Sequence, residues 1–508
     1  METSFRKFFK PILVGVMILA LFLVNTLQKS LNDSRDRLGF KHTDDLLEGA
    51  PPVLQFTTVA LGGFRGLIAN ALWLRMNQLQ EDGKYFEMVQ LADWITKLQP
   101  RFTSVWVFQA WNMAYNISVK CSDHNDRWHW VKSGIELIRD QGLRYNPKET
   151  LLYRELGWLF QHKMGQNLDD ANRLYKSAWA GEMQAVLGDS FPLDYAPLLN
   201  PQTEEEKAKL TALREVYKMD PKFMQEVDNE YGPLEWRLPE SHAIYWASRG
   251  LKMAKIDDLM PLRREIYQPM QTAFKRGRLL NTQTDEFLLY GPNLDIIPNV
   301  SKSYENMLAK EPENAKNIST AHKNFLLDAV GQLYLHQRMG EAERWYQVLK
   351  TKYFEKFKDL AERYAPEYDP AELPLDDFAI PRINEMISDN ASEGMSSVIQ
   401  ALLQSSYQHL ALGADAMADN FYRMAKKSYG RFEEKSQFDE ATVGRIGFGS
   451  FEKLNEEVLN TMLNPQFFGM EMVRRLATAL EIPKEELEQI IESWAQPQEG
   501  PSLPAPSK

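Results

Sequence analysis

Apolar residues recur along most of this 508-residue chain at intervals of three and four positions. That spacing places them on one face of an α-helix, which makes a turn every ~3.6 residues. The strict alternation of apolar and polar residues that indicates a half-buried strand is scarce. The pattern therefore predicts an all-α protein.

A set of small and aromatic residues returns in nearly the same order at separate places. The three sets are Tyr153, Leu156, Gly157, Phe160, Ala171, Tyr175 and Ala178; Leu327, Val330, Gly331, Tyr334, Ala342, Tyr346 and Leu349; and, more faintly, Leu402, Gly413, Ala418, Tyr422 and Ala425. Two antiparallel helices that cross closely need a small residue beside large apolar ones. A repeated helix pair cannot bury its apolar face alone, so the pairs are predicted to stack, with Gly157 and Gly331 at helix crossings.

The N-terminal region predicts a membrane anchor. Arg6, Lys7 and Lys10 precede an uncharged, mainly apolar run over residues 11–27. The run is short for a spanning helix, which needs about 20 residues, and its length also suits a cleaved signal peptide; a soluble amphipathic helix is a third alternative. No small-x-small cleavage pattern follows Val24, which favours an uncleaved signal anchor.

The distribution of cations predicts the orientation of that anchor. The cluster before the run places the N-terminus in the cytoplasm, although Lys29, Arg35 and Arg37 just beyond the run reduce the asymmetry. The bulk of the chain is therefore expected on the exported side of the membrane. That side is the periplasm if the source is bacterial.

One stretch of the sequence resembles a known repeat family. The residues that carry the resemblance are Gly83, Lys84, Tyr85, Pro100, Trp106 and Ala110, followed by the set that begins at Tyr153. They resemble the tetratricopeptide repeat, a helix-turn-helix unit of about 34 residues. The match is best over residues 69–180, where Arg75 and Met76 depart from the family pattern. The resemblance implies an irregular α-solenoid of helix hairpins, a degenerate and membrane-anchored member of the family.

The periodicity, the prolines and the charges divide the chain into eight segments. These are 1–34 (N-terminal tail and signal-anchor helix), 35–68 (linker and leading helix), 69–184 (tetratricopeptide-like repeats), 185–235 (irregular connection with one helix), 236–365 (degenerate helical repeats), 366–382 (proline-rich acidic linker), 383–495 (C-terminal helical repeats) and 496–508 (disordered tail). The proline-rich linker is expected to run along the surface. The tail is expected to be disordered because it has several prolines in a small, polar setting.

Composition and charge narrow the function. With 59 basic and 70 acidic residues, the net charge of -11 makes nucleic acid an unsuitable partner. Cys121 is the only cysteine, so no intramolecular disulfide can form. Cys121 and His124 have the spacing of half a zinc site, but a structural site needs four ligands and no second half-site follows.

The sequence shows no catalytic constellation. It has no phosphate-binding glycine loop, nucleophile-elbow serine or H-E-x-x-H helix. The carboxylate pairs Asp169–Asp170 and Asp376–Asp377 are interpreted as helix starts and solvated loops. We therefore predict that the protein is not an enzyme and needs no cofactor or metal.

The family resemblance implies a groove lined by the first helix of each repeat. Residues expected to face it are Asn70, Trp73 and Asn77 in the first unit, Val107, Trp111 and Tyr115 in the second, and Arg154, Trp158 and His162 in the third. The predicted partner-binding residues are Trp73, Asn77, Trp111, Tyr115, Arg154 and Trp158. Indole rings are frequent anchors of interfaces, but tryptophan at helical spacing is also common in cores, so both roles stay open.

The sequence-based function is a membrane-tethered helical-repeat scaffold that mediates protein–protein interaction in an envelope, secretion or pilus assembly complex. Its protein partner would lie in the repeat groove, and residues 11–27 would anchor the scaffold itself in the membrane. Two alternative functions stay open. One is an enzyme that acts on envelope polymers through paired carboxylates; the other is a carrier that encloses an apolar small ligand.

Overall fold

The computed structural model describes residues 65–281, 289–388, 394–436 and 450–495, together with Thr26, Leu27, Ser30 and Ser34. Within these residues the protein is helical apart from one two-stranded ribbon, which confirms the all-α class. In that part of the chain, no helix combines the length and apolarity that crossing a membrane requires. The predicted anchor at 11–27, except Thr26 and Leu27, and the predicted tail at 496–508 lie outside it.

The first half of the described chain is a succession of helices. They are α1 (Arg65–Glu81), α2 (Tyr85–Leu98), α3 (Thr103–Trp111), α4 (His124–Glu136), α5 (Thr150–Trp158), α6 (Asn172–Leu187), α7 (Ala196–Leu199), α8 (Glu204–Glu215), α9 (Pro221–Tyr231), α10 (Pro239–Leu251) and α11 (Ile256–Arg276). Three of them continue directly into a π-helical turn: α3 into Asn112–Ile117, α4 into Leu137–Gly142 and α5 into Leu159–Met164. Two of these also carry a further short turn, Ser118–Lys120 after α3 and Leu143–Tyr145 after α4.

The second half begins with an antiparallel ribbon, β1 (Arg278–Asn281) and β2 (Leu289–Gly291), in which Leu279 pairs with Tyr290. Helices follow: α12 (Ile297–Lys310), α13 (Ala315–Leu335), α14 (Met339–Lys352), α15 (Phe354–Tyr364), α16 (Leu375–Ser388), α17 (Gly394–Ala411), α18 (Asp415–Ser436), α19 (Phe451–Met462), α20 (Pro465–Phe468), α21 (Met470–Ala479) and α22 (Lys484–Ala495). Short 3₁₀ turns at Leu294–Ile296 and Pro312–Asn314 lead into α12 and α13.

Consecutive helices pack on each other along most of the chain. The pairs α1 with α2, α10 with α11, α13 with α14 and α17 with α18 make extensive contacts. A continuous apolar core runs from Trp106 to Leu476, while α1, α2 and the start of α3 have a smaller core of their own around Met76 and Met88. The predicted packing of neighbouring helices is thus present.

Helix α10 is the most buried element of the first half. Every residue from Pro239 to Ser248 is buried, and the helix packs against both α5 and α11. Proline at its first position has no N–H to leave unpaired, and its fixed φ suits a helix start. Because Ala243, Ala247 and Gly250 are small residues, α5 and α11 can pack closely against α10.

The glycines predicted at helix crossings lie there. A methyl group added to Gly157 in α5 would sit 3.3 Å from the carbonyl oxygen of Ala243 in α10. One added to Gly331 in α13 would sit 3.0 Å from Sδ of Met386 and 3.6 Å from Cγ1 of Ile383, both in α16. These positions confirm the crossings that the repeated small residues predict.

A leucine at residue 157 should therefore destabilise the fold. We expect Gly157→Leu to lower the free energy of unfolding by about 1–3 kcal/mol, because the side chain must push α10 away from α5. Gly181→Leu is the matched control, since no atom lies within 4 Å of a methyl group added at exposed Gly181 in α6. Urea denaturation of both variants is the measurement; similar midpoints would show that α5 and α10 do not cross closely.

Two segments are more ordered than the sequence predicts. The stretch 185–235, expected to hold one helix, contains α7, α8 and α9; a capping box between Thr203 and Glu206 starts α8. The predicted surface linker 366–382 is wrong from Leu375 onward, because α16 begins there and Phe378 is fully buried. The ring of Phe378 lies 4.9 Å from that of Tyr346 in α14. Pro381 inside α16 concealed this helix in the sequence.

Candidate partner-binding site

Two pairs of stacked rings lie where α3 and α5 change from α to π geometry. The ring of Trp111, at the end of α3, stacks on Tyr115 with centroids 4.2 Å apart. The ring of Trp158, at the end of α5, stacks on His162 at 4.4 Å and an interplanar angle of 11°. Each pair joins residues four positions apart, which share a helix face. The same local structure therefore occurs at the ends of both α3 and α5.

A hydrogen bond joins the two pairs. The oxygen of the Tyr115 hydroxyl lies 2.9 Å from Nδ1 of His162. Burial raises the pKa of Tyr115, whereas burial and the neighbouring Lys163 lower the pKa of His162. Both shifts favour a protonated phenol that donates to a neutral imidazole. We name Trp111, Tyr115, Trp158 and His162 the aromatic cluster.

The aromatic cluster is open to solvent on one side. Trp111 is 43% exposed, and the other three side chains are half-buried. It presents two indole rings, an imidazole and a phenol, which combine flat apolar surface with a few polar atoms. Such groups bury large areas against a partner's apolar side chains while still making hydrogen bonds. The arrangement is suited to holding another polypeptide.

A buried network of charged side chains packs against the aromatic cluster. The ammonium of Lys163 lies 5.2 Å from the centre of the Tyr115 ring and 2.6 Å from Oδ2 of Asp169. Asp169 also accepts hydrogen bonds from the Tyr175 hydroxyl (3.0 Å) and from Arg127 (3.2 Å). The network thus connects the turn before α6 to α4 and to the π turn after α5.

The environment of Asp169 corrects the sequence interpretation of the Asp169–Asp170 pair. The Asp169 side chain is only 6% exposed, whereas that of Asp170 is 67% exposed, so the solvated-loop interpretation is wrong for Asp169. Burial alone would raise the pKa of Asp169, but the hydrogen bonds from Lys163 and from the Ala171 N–H hold it well below its usual range. Its helix-start role is present, because it accepts the Ala171 N–H just before α6.

A second carboxylate near the cluster was missed from the sequence. Glu265 of α11 is only 7% exposed, and Gly157 of α5 leaves room for its stem. Burial, followed by the charge of Glu155 and opposed by Arg154, raises the pKa of Glu265 to about 7. Its Oε2 atom has no hydrogen-bond partner among the described residues.

The pattern of α11 held a signal for this burial. Leu262, Ile266, Pro269 and Ala273 recur at helical spacing, and Glu265 falls on the same apolar face. A carboxylate on the apolar face of an amphipathic helix indicates either a charge partner or a shifted pKa.

The remaining predicted partner-binding residues lie apart from the cluster or are already engaged. Trp73 is half-buried in the small N-terminal core, with its ring 5.6 Å from Phe102 and 5.3 Å from Phe108. Asn77 lies one turn further along α1 and is half-buried. The guanidinium of Arg154 lies 2.6 Å from Oε1 of Glu155. The structure therefore brings together Trp111, Tyr115 and Trp158 but not Trp73 or Asn77.

Cys121 and His124 do not form a joint site. The Cys121 thiol lies 3.7 Å from the carbonyl oxygen of Ile117, and Nε2 of His124 lies 3.7 Å from Asp170. Over the described ranges, no three His, Cys, Asp or Glu side chains are grouped to hold a metal ion. No protein-family model matches the chain, and no curated protein matches its sequence.

Proposed function

We propose that this protein is a membrane-tethered helical-repeat scaffold that binds a protein partner on the aromatic cluster. The observation that carries the proposal is the convergence of Trp111 and Tyr115 from one repeat unit with Trp158 and His162 from the next. Partly exposed, interlocked aromatic rings on rigid helices are typical of interface anchors.

The proposal includes an irregular solenoid of tetratricopeptide-like hairpins. It is supported by the packing of consecutive helices and by Gly157 and Gly331 at helix crossings. The motif residues around Gly83 and Pro100 supply the family resemblance. Repeat arrays of this kind bind partners far more often than they catalyse reactions.

The proposal also includes the anchor at residues 11–27, with the helical part on the exported side. The uncharged run behind Arg6, Lys7 and Lys10 supports it. A tether confines the scaffold to the membrane surface and raises its effective concentration toward partners anchored in the same bilayer. Such a scaffold suits an envelope, secretion or pilus assembly complex.

The test is affinity capture of the full chain from membranes, with a tag after Lys508. We expect the double variant Trp111→Ala/Trp158→Ala to lose its co-purifying protein about tenfold or more, because interface anchors contribute most of the binding energy. The matched control is Leu74→Ala/Ile256→Ala, which removes two side chains that are 70% and 86% exposed outside the cluster.

Thermal denaturation of the same preparations separates binding from packing. The proposal requires that the double tryptophan variant keeps its helical content and unfolds cooperatively while capture is lost. A variant that fails to fold would assign both tryptophans to the core; in that case a photo-crosslinking side chain at the exposed position 111 supplies the decisive measurement. Crosslinks to no protein from position 111, or the same products as from position 256, would overturn the proposal.

A further inference from the structure

A second, chemically different surface lies between α11 and α13. It is an open groove of about 840 Å³, closed at its sides by α12 and by Arg382 of α16. Among the described residues, five cationic side chains line it: Arg263, Arg264, Lys275, Lys323 and Arg382. Of the carboxylates in that part of the chain, two line it, Glu311 and Asp328. The groove is therefore cationic in a chain whose net charge is -11.

Both carboxylates in the groove are already paired. Arg263 lies 3.1 Å from Oε1 of Glu311, and Arg382 lies 2.6 Å from Oδ1 of Asp328. Arg382 also contacts Glu385, 3.2 Å away. These ion pairs engage Arg263 and Arg382. The other three cations of the groove take no part in them.

Three cations remain for a ligand. Within the described ranges, no carboxylate lies within ion-pair distance of Arg264, Lys275 or Lys323. Arg264 and Lys275 are exposed, and Lys323 is half-buried. Burial and then the charges of Lys356 and Arg382, opposed by Asp359, lower the pKa of Lys323, as expected where positive charge is in excess.

The spacing of these cations indicates the shape of a ligand. Arg264 and Lys275 are eleven positions apart on α11, which is about three turns, or roughly 16 Å, along one helix face. An extended polypeptide rises ~3.3 Å per residue, so about five residues would cover that distance. Gln268 lies between the two cations on the same face and also lines the groove.

The amide side chains favour a peptide over a phosphate. Gln268, Asn317 and Asn324 line the groove and are exposed. An amide offers both a donor and an acceptor, which matches the C=O and N–H of a peptide backbone, whereas a phosphate needs donors only. An apolar small ligand is disfavoured because the groove is open and charged.

We infer that the groove between α11 and α13 binds an extended, acidic internal segment of the partner protein. This inference rests on the proposed scaffold function and adds the chemistry of a second contact. The groove adjoins the π turn after α5, which carries His162 of the aromatic cluster, because Gln161 in that turn donates a hydrogen bond of 2.6 Å to Gln268. One partner could thus contact the aromatic cluster and the groove together.

The test measures binding of a defined peptide to the purified full chain in neutral detergent. The probe is a fluorescent peptide of alternating glutamate and serine with both ends blocked, so that no terminal carboxylate is present. Its counterpart has glutamine in place of glutamate. At about 0.15 M salt, where exposed charges are screened beyond ~8 Å, we expect the acidic peptide alone to bind with measurable affinity.

A charge-neutralised variant locates that binding. The triple variant Arg264→Gln/Lys275→Gln/Lys323→Gln should bind the acidic peptide with an affinity lower by about tenfold or more, because charge-assisted contacts are lost. The matched control is Lys120→Gln/Lys148→Gln/Lys453→Gln, which removes the same charge from exposed lysines that do not line the groove. Equal binding by the two triple variants, or by the two peptides, would overturn the inference.

Two further arms separate this inference from its rivals. One arm uses vesicles that contain anionic phosphatidylglycerol. If these vesicles bind through the three groove cations and the peptide does not bind, the groove contacts the membrane and the inference is wrong. The Trp111→Ala/Trp158→Ala variant should keep peptide binding, since the aromatic cluster lies outside the groove. If the wild-type chain does not bind the peptide but still captures its partner through the two tryptophans, the groove inference is wrong and the scaffold proposal still stands.

Discussion

Replacing Asp169 with alanine is expected to cost about 3–5 kcal/mol of the free energy of unfolding, because it leaves a buried lysine without its counter-ion. The Lys163 side chain is 5% exposed and has its ammonium 2.6 Å from Asp169. The substitution also removes the acceptor of the Tyr175 hydroxyl and one acceptor of Arg127. Urea denaturation monitored by tryptophan fluorescence measures the loss.

The neighbouring aspartate supplies the control. Asp170 also contacts Arg127, but its side chain is 67% exposed, so Asp170→Ala should change stability by at most about 1 kcal/mol. Asp169→Asn should fall between the two alanine variants, because the amide oxygen can still accept the Ala171 N–H while the charge is lost. Equal unfolding midpoints for the two alanine variants would show that the network does not stabilise the fold.

The sequence predicts the helices and two of their close crossings because both are encoded locally. Gly157 and Gly331 stand beside large apolar residues at helical spacing, and that pattern needs no knowledge of the rest of the chain. The aromatic residues Trp111 and Trp158 could be selected through the repeat resemblance. The hydrogen bond that joins them through Tyr115 and His162 depends on how the segments after α3 and α5 pack together, which only the structure gives.

Features that depend on the direction of individual side chains or on an interrupted sequence pattern could not be predicted. Asp169 and Asp170 are adjacent and identical in type, yet Lys163 and Tyr175 enclose only the first. No local pattern separates them, because the difference arises from the direction of each side chain in one turn. The same holds for α16, whose buried apolar face is interrupted by Pro381 in the sequence.

The cationic groove is an intermediate case. Arg264, Gln268 and Lys275 recur on one face of α11, so a polar stripe could be seen in the sequence. Residues 236–365 are predicted to be helical, but two internal prolines, Pro261 and Pro269, obscure the bounds of the helix that carries the stripe. Its counterpart on α13 comes from a later segment, so only the structure shows that the stripe faces a second set of polar side chains.

Glu265→Gln should stabilise the protein in alkaline solution and not in acid. Burial raises the pKa of Glu265 to about 7, above the usual value of about 4.5 for a glutamate, so the folded protein holds this proton more tightly than the unfolded chain. Stability from the protonated carboxyl is complete below about pH 4.5 and is lost as pH rises through 7. Glutamine resembles the protonated form and stays neutral, so the variant avoids that loss.

We expect the difference in free energy of unfolding between Glu265→Gln and wild type to grow by about 2–3 kcal/mol from pH 4.5 to pH 8. The difference is the quantity to measure, because burial lowers the pKa of both His242 and His322 to about 4 and so destabilises wild type and variant alike in acid. Glu313→Gln, an exposed substitution, should show no such trend. A pH-independent difference for Glu265→Gln would mean that this carboxylate is solvated in the folded protein, and the close packing of α11 on α5 at Gly157 would then be wrong.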